Sequence, residues 1–210
     1  MSLHSVMVVG RYQESGQDRA VLGAAWESEI KAVTVSDDNE PSSVTGLHFV
    51  FPGLLMFYVE GSEENINDFI RLLNNLTAKE GLGLTKVKVV HLIHNIKTQI
   101  LSCWHWKVID PPLRTERSEA ADNKVKLVAM VLSIVVSLSK QPPLAVKKTL
   151  ENIQEKMIRF IPDAVMMETI LRDPSLMDPY QYIQQVLHMR GVTLDTETVW
   201  PAPGTIFSVQ

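Results

Sequence analysis

The chain has 210 residues, 45% hydrophobic and 21% charged, the composition of an ordinary soluble globular protein with room for one sizeable core. Its formal net charge of −4 gives no electrostatic pull toward nucleic acid. The single cysteine, Cys103, excludes an intrachain disulfide framework and a Cys-rich zinc site.

No basic leader precedes the apolar run Val6-Met7-Val8-Val9, so no signal peptide is expected. That run, from His4 to Gly10, predicts a first strand. From Asp18, apolar residues at Val21, Leu22, Ala25, Trp26, Ile30 and Val33 recur at helical spacing. Gly23 lies inside this helix and costs it about 1 kcal/mol relative to alanine. Residues 36–43 are a polar loop. Val44–Phe51 and Gly53–Glu60 flank Pro52-Gly53, which predicts two strands joined by a tight turn. The second of these strands does not alternate, as expected of a strand covered on both faces.

Ser62 is a good N-cap for a helix that opens with Glu63 and Glu64 and carries the stripe Ile66, Phe69, Ile70, Leu73, Leu76. Gly81 and Gly83 end it. Leu84–Leu92 and Ile100–Ile109 predict two more strands. The order β-α-β-β-α-β plus a further strand is the ferredoxin-like pattern. The expected fold is therefore α+β, a five-stranded sheet with two helices on one face and C-terminal helices on the other.

Beyond Asp110-Pro111-Pro112 the chain reads as helical. Val125–Leu138 is apolar on nearly every side but too short to span a bilayer, which needs about 20 residues. It caps the free sheet face or meets a partner. Leu144–Phe160 predicts one amphipathic helix with Val146, Leu150, Ile153, Met157 and Phe160 on one side. Asp163–Leu171 and Pro179–Met189 predict two shorter helices. The expected organisation is a sheet domain over residues 1–112, a linker over 113–123, a helical extension packed on the sheet over 124–192, and an extended tail over 193–210. Trp200-Pro201 in that tail is a candidate docking element.

Several residues together carry a resemblance. Leu3-His4 with Val9-Gly10-Arg11, Val44-Thr45-Gly46-Leu47, Val59-Glu60-Gly61 and Trp104-His105-Trp106 resemble, in order and spacing, BLUF domains, the flavin-binding blue-light sensors, over about residues 3–110. The resemblance implies a flavin site at the gap between the first two helices. It also implies a photochemical tyrosine where Val8 stands, a glutamine where Phe57 stands and an asparagine where Ser43 stands. Trp104 and Trp106 fall where the family's fifth strand carries a tryptophan and a methionine. Valine cannot donate an electron and phenylalanine has no amide, so neither photochemistry nor bound FAD is expected. Each buried flavin polar group left without a partner would cost about 1–3 kcal/mol. The whole-chain pattern, a degenerate BLUF unit with a long helical extension, resembles the testis-expressed protein 47 family. That resemblance implies a sperm or germ-cell setting, in the cytoplasm, the flagellum or another cytoskeletal structure.

Other candidate sites are thin. Cys103 and His105 share one face of a predicted strand, with Trp104 and Trp106 on the other. A cysteine–histidine nucleophile is conceivable. On a regular strand the two side chains stand about 7 Å apart, too far for a hydrogen bond. His91 and His94 are expected on opposite faces, and zinc needs at least three converging ligands. His48 reads as a sheet residue facing a helix. Trp104 and Trp106 pack under a helix or form a binding surface. Arg11 alone does not make an acylphosphatase-like anion loop. No catalytic or metal site is expected, and the chain is read as a non-enzymatic protein-binding protein. The alternative is a flavin- or small-molecule-binding sensor module with a modified pocket. The sequence names neither a partner nor an oligomeric state.

Overall fold

A computed structural model of the chain describes residues 2–13, 16, 18–34, 44–78, 83–110 and 120–187. The apolar runs form β1 (Leu3–Tyr12), β2 (Thr45–Phe51), β3 (Leu54–Ser62), β4 (Leu84–Ile96) and β5 (Trp104–Val108). The first two helical stripes form α1 (Arg19–Thr34) and α2 (Glu63–Ala78). Gly53, at φ +64°, takes the left-handed position that the turn between β2 and β3 requires. Ser62 caps α2 as expected, its hydroxyl accepting from the Asn65 N–H at 3.2 Å.

The five strands pair in the order β4-β1-β3-β2-β5, antiparallel except for β2 with β5. Every residue of β3 is buried, so this strand is covered on both faces. On one face Val6, Val8, Leu55, Phe57 and Val59 pack with α1 and α2. On the other, Met7, Val9, Leu47, Phe49 and Tyr58 pack with the C-terminal helices. The architecture is α+β, a ferredoxin-like core with a helical extension.

Several elements differ from the expectation. The apolar helix α3 runs Ala120–Ser139, starting earlier than Val125. Leu127, Val131, Ile134, Val135 and Leu138 are buried on the sheet, whereas Val125 is exposed. The predicted helix over Leu144–Phe160 breaks at Asn152 into α4 (Pro143–Glu151), α5 (Ile153–Lys156) and a 3₁₀ turn, Ile158–Phe160. Breaking there still buries Val146, Leu150, Ile153 and Met157 in one cluster. The last helices do not all lie on the second face. After α6 (Ala164–Arg172), the chain passes the outer edge of β4, where the Val89 N–H donates to the Met177 carbonyl at 2.9 Å and Lys88 Nζ to the Leu176 carbonyl at 2.5 Å. Then α7 (Pro179–Tyr182) and a π turn, Ile183–Leu187, join the α1/α2 side through Tyr182, Ile183, Val186 and Leu187. Residues 113–119 of the expected linker and the whole expected tail (193–210), Trp200-Pro201 with it, lie outside the described residues, whereas 120–123 of that linker belong to α3.

The strand expected over Ile100–Ile109 is shorter than predicted, and Glu60 is the cause. This carboxylate is fully buried at the end of β3. It accepts from the backbone N–H of Ile100 at 2.9 Å and of Leu101 at 2.9 Å, from the Tyr58 hydroxyl at 2.8 Å and from the Thr45 hydroxyl at 3.2 Å. Ile100 and Leu101 are thus held as a loop, and pairing with β2 begins only after it. The carboxylate also holds the Tyr58 phenol well above its ordinary pKa, together with burial, which is the larger cause. Replacing it, Glu60→Gln, turns an amide N–H₂ toward backbone donors. The substitution is expected to cost about 2–4 kcal/mol, read as a lower urea midpoint with an unchanged m-value.

Candidate functional site

The layer between the sheet and helices α1 and α2 is where the sequence resemblance would place a chromophore. Val8 and Phe57 lie directly opposite each other in the β1–β3 register, and both are fully buried. The Phe57 ring is surrounded by aromatic groups. Its centroid lies 4.4 Å from His48, 5.5 Å from Phe69 of α2 and 5.8 Å from Trp26 of α1. Tilted and edge-on pairs of this kind contribute about 0.5–1.5 kcal/mol each beyond their buried area. The layer is thus filled by side chains of the chain itself. Ser43 lies outside the described residues.

His48 stands on β2 opposite Phe57 and faces this helical layer, as read from the sequence. Its ring is fully buried and neither nitrogen has a hydrogen-bond partner among the described residues; the same holds for the buried Trp26 Nε1 and Trp104 Nε1. Burial alone holds the imidazole pKa down to about 3.

Trp104 and Trp106 share one face of β5, as expected, and both are half-buried. Two glycines make the room. A Cβ on Gly46 would lie 2.3 Å from the Tyr58 carbonyl oxygen and 2.7 Å from the Trp104 ring. A Cβ on Gly23 would lie 2.6 Å from the Trp106 ring, which explains a glycine inside α1 despite its cost to the helix. The Trp106 indole N–H donates to Glu27 of α1 at 2.8 Å, and Glu27 also pairs with Lys31 at 2.7 Å.

The Cys103–His105 expectation is overturned. Cys103 precedes β5 at a bend, so regular strand spacing does not apply, and its Sγ lies 3.3 Å from His105 Nε2. The thiol is exposed. Burial lowers the His105 pKa, opposed by the Glu27 carboxylate. The arrangement lets the thiol bond to a neutral ring, with no third group orienting that ring among the described residues. His91 and His94 do separate. His91 titrates below its ordinary range through burial and the nearby Lys124 of α3, whereas His94 Nδ1 meets His4 Nδ1 at 2.9 Å. The described residues hold no group of three or more metal-ligating side chains. None of their helices is long and apolar enough to cross a membrane.

The signal for these arrangements was partial. Val8, Phe57, Trp104 and Trp106 were identifiable by position, and the structure brings Phe57 and Trp104 around His48. The role of Glu60 was not read from the sequence. An acidic residue at the end of an otherwise apolar strand was the available cue.

Neutral burial of His48 has a pH consequence. Its folded pKa of about 3 lies below the unfolded value near 6.5, so the unfolded chain binds the extra proton. Its contribution to stability is complete above pH 6.5 and declines as pH falls toward 3, by up to about 1.4 kcal/mol per pH unit. Urea midpoints measured through the upper part of that window, above the carboxylate range, should fall with pH in the native chain. They should fall distinctly less in His48→Leu.

Comparison with known proteins adds the following. The sequence profile of the family described as Testis-expressed protein 47 matches residues 2–186. Solved structures similar to this chain include BlrP1 BLUF, at 12% identity, TM-score 0.38, covering 52% of this chain and 66% of that one. BlrB, a BLUF protein in its dark state, is 15% identical with a TM-score of 0.38, covering 74% of this chain and 97% of that one. A bacterial light-regulated adenylyl cyclase is 18% identical with a TM-score of 0.38, covering 71% of this chain and 39% of that one. The match thus spans less than two thirds of the length of BlrP1 BLUF and of the cyclase.

Proposed function

The chain belongs to the testis-expressed protein 47 family, and from that premise we propose that it is a non-catalytic interaction protein. In this reading a BLUF-like sheet domain has lost flavin photochemistry and serves as a rigid platform. The observation that carries the proposal is the Val8–Phe57 pair inside a filled aromatic layer. Fitting a flavin there means expelling Phe57 from contact with Trp26, Phe69 and His48. Neither Val8 nor Phe57 offers a hydrogen bond to the ring's polar edge. The residues do not fit the chromophore. The family's name points to testis as the tissue, and we place the protein's work in sperm, in the cytoplasm or on a flagellar or cytoskeletal structure.

A second reading has one observation in its favour. The two nitrogens of His48, with Trp26 Nε1 and Trp104 Nε1, are buried polar atoms without partners among the described residues. Buried groups of this kind are normally bonded, so a small polar molecule other than flavin would gain hydrogen bonds in this layer.

Both readings meet one set of measurements on the purified full chain. The absorption spectrum should lack a flavin band, and added FAD should show no saturable fluorescence quenching up to about 100 µM, a binding free energy weaker than roughly −5.5 kcal/mol. Tagged chain recovered from testis should carry other proteins in stoichiometric amount. Saturable flavin binding, or recovery with a bound small molecule and no protein, would overturn the interaction reading.

A further inference from the structure

The two edges of the sheet are treated differently. The outer edge of β4 is met by the chain's own segment at Leu176 and Met177. The outer edge of β5 has no such cover among the described residues. Along it runs a groove of about 730 Å³, lined on the α1 side by Ala20 and Glu27 and on the α4 side by Lys147, Leu150 and Glu151.

The ladder to β2 determines what this edge offers. Gly46 N–H donates to the Cys103 carbonyl at 3.5 Å, and Ile109 N–H donates to the Val50 carbonyl at 2.9 Å. In a parallel pair, alternate residues turn both backbone groups toward the same neighbour. Cys103, His105, Lys107 and Ile109 therefore face β2. Trp104, Trp106 and Val108 turn their N–H and C=O outward, into the groove, where the complementary partner is another extended strand.

We infer that a second copy of this chain occupies the groove, its β5 pairing antiparallel with the first across a twofold axis at Trp106. The register is self-complementary. Trp104 falls opposite Val108 of the second copy and Trp106 opposite Trp106, each a pair that exchanges both backbone hydrogen bonds. Lys107 falls opposite His105, not opposite another lysine, so the seam avoids the like-charge pair that blunts many edges. Burial keeps that histidine's pKa low, which suits it to face a cation. The groove wall carries both signs, Lys147 and Glu151, so two copies of it can attract. Because the twofold contact uses the same edge of both copies, pairing along β5 closes at two.

The dimer goes beyond the interaction reading and does not require it. Sedimentation velocity of the full chain from roughly 1 to 100 µM is expected to show a concentration-dependent dimer. Val108→Pro removes one outward N–H and leaves the ladder to β2 intact. It is expected to weaken the dimer at least about tenfold with an unchanged circular dichroism spectrum. His105→Lys places like charges across the seam twice and is expected to act in the same direction, which keeps the test decisive if the proline variant folds poorly. A native chain that stays monomeric over this range, even while capturing other proteins, overturns the inference. So does a dimer that neither substitution weakens.

Discussion

The close packing of Phe57 is the constraint from which the rest of the arrangement follows. Its ring lies between the sheet and two helices and touches an aromatic group from each of three elements, Trp26 on α1, Phe69 on α2 and His48 on β2. A side chain of that size at the centre of the layer sets how closely both helices approach. The layer it fills is part of one buried hydrophobic cluster with α1 and α2. Val8, directly opposite, is buried in the same cluster.

A second constraint acts at the other end of β3. A buried carboxylate is costly unless nearly all its lone pairs are used. Glu60 meets that demand with two backbone N–H groups and two hydroxyls. Its partners Ile100 and Leu101 belong to the connection between β4 and β5, so satisfying the charge also fixes where the crossing strand enters the sheet. The consequence reaches the edge. The start of β5 determines which of its residues face β2 and hence that the tryptophan residues turn their backbone outward. Core electrostatics and the proposed contact surface are in this way one structure.

The fold was legible because its signals are local and agree with one another: short apolar runs bounded by breakers, Pro52-Gly53 at a hairpin, Ser62 before a helix, and glycines in the sequence after that helix. Gly23 and Gly46 were visible as glycines, but their purpose is long-range, each making way for a tryptophan of a distant strand. The contact between Cys103 and His105 was misjudged because it depends on a bend that precedes the strand, and spacing rules assume regularity. The break at Asn152 and the passage of the final segment around β4 were hidden for a similar reason. Both are decided by which surface remains to be covered once the sheet has formed, and the apolar stripe of one helix does not carry that information.

The account stands on Phe57 being a structural side chain and not the occupant of a ligand cleft. The most direct measurement is the stability of Phe57→Ala by urea unfolding. A core ring with these contacts predicts a loss of about 3–5 kcal/mol. A loss below about 1 kcal/mol, as expected where a ring lines an open site and its removal leaves no packing defect, would contradict the account.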